Sequence, residues 1–113
     1  MNIEFEYRYR DWGNFKKYGA IVFGNRNCLT ADVVSQRVSL ALADGQSFSA
    51  TECGVPDLFF DDSPFDPDLD HGSHEFYGTS ETESPINDAA NRDILDLLAE
   101  MKISVGVWRT LHS

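Results

Sequence analysis

Between Arg37 and Arg92 the chain has no lysine and no arginine. The same stretch holds twelve carboxylates, so it carries −12, while the segment ending at Arg37 carries +2 and the tail from Arg92 is neutral. Charge this one-sided repels nucleic acid and anionic lipid and attracts cationic partners. Cysteine is also scarce: Cys28 and Cys53 form neither a metal motif nor a disulfide framework. Two reduced thiols are expected, with a single disulfide as the alternative. No apolar run approaches the ~20 residues that span a bilayer. Met1 to Glu6 is alternating and acidic, without the positive start and apolar stretch of a secretion signal. A cytoplasmic protein of a bacterial host cell is therefore expected. No repeat and no domain boundary interrupts the chain, so residues 1–113 read as a single domain.

The sequence is rich in aromatics. Eight Phe, four Tyr and two Trp, within a hydrophobic fraction of 42%, suffice for one modest core and argue against disorder throughout. Ile3, Phe5, Tyr7 and Tyr9 alternate with Glu4, Glu6, Arg8 and Arg10, which predicts a half-buried strand whose outer face carries charges of both signs. A turn signal at Asp11 to Asn14 leads to a second strand, Tyr18 to Phe23, completing a hairpin. Thr30 is a helix N-cap with Asp32 in the first turn; Val34, Val38, Ala41 and Leu42 follow at helical spacing, and Gly45 sits where a helix exit belongs. Gln46 to Ala50 predicts a third strand, Leu58 to Phe60 a short fourth, and His74 to Tyr77 a returning one. Thr79 to Ser84 reads as a polar linker. A second helix is expected from Ser84 or Asn87, with Pro85 in its first turn, running through Ala90, Ile94, Leu97, Leu98 and Met101. Weak alternation of Ile103, Val105 and Val107 predicts a last strand. The fold class expected is α+β, a mainly antiparallel sheet with two amphipathic helices packed on one face and roughly ββαββα topology.

Asp61 to Gly72 has five aspartates with Pro64 and Pro67 between them, which disfavours regular structure. Asp66, Asp68 and Asp70 alternate like the start of a calcium loop. An EF-hand takes Gly at its sixth position and Glu at its twelfth, where this chain has His71 and Tyr77. His71 and His74 beside those aspartates offer a transition-metal set instead, and a divalent-metal protein using Asp66, Asp68, Asp70, His71 and His74 is the alternative reading. Acid–base work by His74 and Glu75 needs a pocket and a shifted pKa, which an exposed loop does not supply. His112 lies near a frayed end. Cys28 and Cys53 show no elbow or dyad spacing. No catalytic residues, no cofactor and no enzyme are expected. Arg8, Arg10, Lys16, Lys17 and Arg26 lie near Tyr7, Tyr9, Trp12, Phe15 and Tyr18, a mixture that can serve single-stranded nucleic acid. The net charge of −10 opposes a polyanion, so no direct nucleic-acid binding is expected.

What remains is a surface for a basic protein. Asp57, Asp61, Asp62, Asp66, Asp68, Asp70 and Glu75 supply negative field, and Phe65 and Leu69 supply apolar anchors. Carboxylates on a rigid scaffold imitate the spacing of phosphates, so an acidic inhibitor or decoy occupying the groove of a nucleic-acid-handling protein is the leading expectation. Its bland rival is an acidic surface that only aids solubility. Tyr9-Arg10-Asp11, Asn14-Phe15-Lys16, Gly19 to Phe23, Gly54-Val55-Pro56-Asp57 and His74-Glu75-Phe76 together resemble a group of small acidic bacterial proteins of unassigned function. In size and charge the chain is also similar to phage anti-CRISPR and bacterial immunity proteins.

Overall fold

A computed structural model of the chain describes residues 1–10, 16–42, 45–56, 58 and 73–112. Its elements are β1 (Asn2–Arg10), β2 (Lys16–Phe23), α1 (Ala31–Ala41), β3 (Ser47–Ser49), the single turn α2 (Ala50–Cys53), β4 (Ser73–Thr82) and α3 (Ile94–His112). The strands form one curled sheet in the order β2-β1-β4-β3, with every paired neighbour antiparallel. The α+β class and the ββαββα order are as the sequence predicts, with α2 added.

The alternation in β1 does the organising. Ile3, Phe5 and Tyr7 are buried and join Val34, Val38 and Ala41 of α1 and Ile94, Leu97, Leu98 and Met101 of α3 in one apolar cluster. Both helices therefore cover the same side of the sheet. Phe5 sits at the centre, its ring 5.4 to 6.3 Å from those of Tyr7, Phe23, Phe48 and Phe76. Pairs of this kind stabilise a core beyond the area they bury. Thr30 caps α1 as expected, its side chain accepting from the Val33 N–H. The helix stops at Ala41 rather than reaching Gly45, because Leu42 is already extended at φ −93 and ψ 144.

Three expectations need correction. Thr79 to Thr82 is strand, not linker: it continues β4 against β1 as far as Thr82 opposite Asn2. The Thr79 hydroxyl makes this polar stretch fit, donating to the Ala31 carbonyl at 2.8 Å and sharing a 2.7 Å bond with Ser35. The last helix begins at Ile94, not near Ser84 or Asn87, and Pro85 lies outside it. Asp93 accepts from the Leu95 N–H at 3.1 Å, and Asp96 accepts in return from the Asp93 N–H at 3.0 Å. This reciprocal capping fixes the start, and Ser84 and Asn87 have no equivalent. Finally, Ile103, Val105 and Val107 continue α3 instead of forming a strand. Extending a nucleated helix is easier than starting a new element, and three alternating residues do not overcome that. The short strand expected at Leu58 to Phe60 falls mainly outside the described residues, and Leu58 itself is not in a strand.

The segment before α3 lies along β2. Asn87 and Asp88 donate to the Val22 carbonyl, and Asn87 Oδ1 accepts the Val22 N–H at 2.7 Å. Gly24 exchanges bonds with Arg92 and Ile94. These contacts close the upper part of a sheet edge that would otherwise offer unpaired groups.

Candidate functional site

Pro56 and Leu58 at the start of the acidic stretch and Ser73 and His74 after it are described, and the core ties these two flanks together. Tyr7 OH donates to the Pro56 carbonyl at 2.7 Å. The Leu58 N–H donates to His74 Nε2 at 2.9 Å. Leu58 in turn lies on Gly19, where an added Cβ would come within 2.9 Å of the end of its side chain. His74 is 1% exposed, with the rings of Tyr9, Tyr7 and Phe48 5.2, 6.1 and 6.2 Å away. Accepting an N–H requires Nε2 to be unprotonated. His74 thus acts as the buried joint of the two flanks.

Of the residues singled out for partner binding, Asp57, Asp61, Asp62, Phe65, Asp66, Asp68, Leu69 and Asp70 lie outside the described residues, as does His71 of the metal set. Glu75 is described. Its Oε1 lies 3.0 Å from Arg8 Nε and 3.3 Å from Arg10 Nε, so its charge is met within the sheet. Among the described residues, no three His, Cys, Asp or Glu side chains gather where they could hold a metal ion. Cys28 and Cys53 are free thiols, the first exposed and the second buried. Burial, reinforced by the Glu52 charge, pushes the Cys53 thiol up to about 12. It is therefore unsuited to act as a nucleophile.

Two arrangements escaped sequence reasoning. One is the pair Asp88–Arg92. Asp88 Oδ1 accepts from Arg92 Nη2 at 2.9 Å, and its Oδ2 accepts from Arg92 Nε at 3.0 Å and from the backbone N–H groups of Ala90 and Arg92. Arg92 donates onward to the carbonyls of Cys53 at 2.8 Å and Gly54 at 3.0 Å, and covers the Phe23 ring at 5.3 Å. Gly54 has φ +73 and an added Cβ would meet the guanidinium at 3.2 Å, so glycine admits this contact. The Arg92 hydrogen bonds hold the Asp88 carboxyl below its usual range despite burial.

The other is the face of the sheet that the helices leave uncovered. The register shifts between Glu6 and Tyr7, so that Glu6 faces Gly78 while Tyr7 faces Phe76, and Tyr77 is the extra residue of a bulge. Tyr77 is 57% exposed and Tyr18 is 54% exposed, and their rings meet edge to face at 5.3 Å. Arg8 lies over the Tyr77 ring at 5.5 Å. Beside the two tyrosines is a depression of about 510 Å3 lined by Glu4, Glu6, Gly19 and Ala20. Burial pushes the Glu6 carboxyl above its ordinary value, and the neighbouring Glu4 adds to the rise through charge and a hydrogen bond. The sign change along Glu4, Glu6, Arg8 and Arg10 is visible in the sequence. The bulge that brings Tyr77 to this face is not.

No helix among the described residues is long and apolar enough to cross a membrane. Comparison with protein-family models, curated proteins and solved structures finds no match to this chain.

Proposed function

We propose that the protein is a non-enzymatic acidic binder, an inhibitor or nucleic-acid-mimicking decoy that acts in the bacterial cytoplasm on the basic surface of a nucleic-acid-handling protein, in the manner of anti-CRISPR or immunity proteins. The separation of charge supports this reading. Arg8 and Arg10 are engaged by Glu75, Arg26 by Asp93 and Asp96, and Arg92 by Asp88. The stretch from Asp57 to Asp70 adds six carboxylates and not one base. Leu58, near its start, donates its N–H to the buried His74 beyond its end. A field mounted on a fixed base accelerates encounter with a cationic groove, and Phe65 and Leu69 supply the apolar contacts that slow release.

The test is capture from a lysate of the native host with the wild-type chain and with a D66K/D68K/D70K variant, followed by competition on the captured protein. The wild type retains a basic protein that duplex DNA displaces and that is lost at high salt. The variant keeps its circular dichroism spectrum and retains nothing. Capture that survives the triple reversal, or that DNA does not disturb, overturns the reading.

A further inference from the structure

The face of the sheet away from the helices has an internal charge order that the acidic stretch does not explain. Residues directly opposite on antiparallel strands share a face. Along β1 that face carries Glu4 beside Val22 and Ser80, then Glu6 beside Ala20 and Gly78, then Arg8 beside Tyr18 and Glu75, then Arg10 beside Lys16. One half thus has two acids over small residues. The other half has Arg8, Arg10 and Lys16 against Glu75, a net of +2. On a chain of net charge −10 this face is locally balanced, with its two signs segregated end to end. Its relief follows the same division: two tyrosines stand out from the basic half, and the depression floored by Ala20 lies toward the acidic half.

We infer that this face docks against the same face of a second copy of the chain, forming a two-fold symmetric dimer. The geometry is self-complementary. An axis lying in the interface and crossing β1 at Tyr7 and β2 at Gly19, which are register partners, reverses the strand direction. It sets Glu6 against Arg8 of the other copy, Glu4 against Arg10, and Tyr18 over Ala20. Isologous contacts require this reciprocity, in which each residue's partner meets that residue's own copy. The contact also brings cations to Glu4 and Glu6, whose side chains otherwise face each other.

The three long strands set the scale. Nine residues of β1 at ~3.3 Å and three strands at ~4.8 Å give a face of about 30 by 14 Å, so a pair buries roughly 800 to 900 Å2. That is the size of weak and transient contacts, and the dimer forms within the micromolar range. The interface uses no residue between Asp57 and Asp70, so its failure would leave the acidic-binder reading untouched.

Sedimentation velocity across about 5 to 500 μM tests it. The wild type shifts from monomer to dimer mass as concentration rises. E4K/E6K is monomeric, because each basic half now meets another basic half. R10E/K16E is monomeric for the converse reason. Their equimolar mixture recovers the dimer, since three of the four β1 contacts in the mixed pair join opposite charges, against none in the E4K/E6K pair. Tyr77→Ser, which changes no charge, weakens dimerisation at least tenfold with an unaltered circular dichroism spectrum, and it serves as the test if a charge-reversed chain does not fold. A wild type that stays monomeric at the highest concentration, or reversed variants that dimerise like the wild type, or a mixture that does not recover the dimer, overturns the inference.

Discussion

Asp88 and Arg92 show what a single pair can hold in place. Their side chains are 2% and 15% exposed, and together they bond to α2, the edge of β2 and the segment leading into α3. Removing one partner of a buried pair strands the other charge, so Asp88→Ala is expected to destabilise the fold by about 3 to 5 kcal/mol. Urea denaturation at pH 7 measures this, and a loss under 1 kcal/mol would show the pair to be dispensable. The sign of the pH effect is set by the lowered Asp88 pKa. Asp88 contributes stability above its unfolded value near 4, and that contribution disappears as pH falls through the lower folded value. The wild type should therefore lose more stability between pH 5 and 3 than Asp88→Asn does. The four-residue spacing of this pair is plain in the sequence, where it suggests two residues of one helix. The fold uses it in a loop, because reciprocal capping by Asp93 and Asp96 delays the helix to Ile94.

At the scale of elements, the legible parts are those whose apolar pattern and end signals agree. In β1, strict alternation meets a turn signal; in α1, a helical stripe meets a capping threonine. Legibility fails where polar residues are buried by partners that are remote in sequence. The second half of β4 looks like a linker until Thr79 is seen bonded to Ala31 and Ser35, more than forty residues away. His74 is the same case within the candidate site: spacing allows it as a metal ligand, whereas the fold places it between Tyr9 and Phe48 and gives its Nε2 to Leu58. His74→Phe keeps a ring in that space and removes the acceptor. An unsatisfied N–H at Leu58 costs about 1 to 3 kcal/mol, so the Leu58 amide should exchange with solvent at least fivefold faster while the amides of β1 keep their protection. Equal acceleration across the sheet would instead make His74 a general core residue with no particular hold on the acidic stretch.

For the whole molecule, the net charge of −10 opposes compaction and favours a cationic partner, and the two effects respond to salt with opposite signs. The Debye length falls from about 30 Å at 0.01 M to about 3 Å at 1 M, so added salt first weakens long-range repulsion among the carboxylates. The pairs it weakens in return contribute little where they are exposed, as with Arg26 at 76% exposure, typically about 0 to 1 kcal/mol each. The Asp88–Arg92 pair is buried and largely escapes screening. Repulsion should win, and the melting temperature of the isolated protein should rise by several degrees between 0.02 and 0.5 M sodium chloride. Over the same range the affinity for a basic partner should fall, because the attraction screened there is what drives encounter. Measuring both on one preparation separates loss of binding from loss of fold. Release of the partner while the melting temperature climbs identifies the contact as electrostatic. A melting temperature that falls with salt would mean that attractive pairs, not the carboxylate excess, dominate the native state.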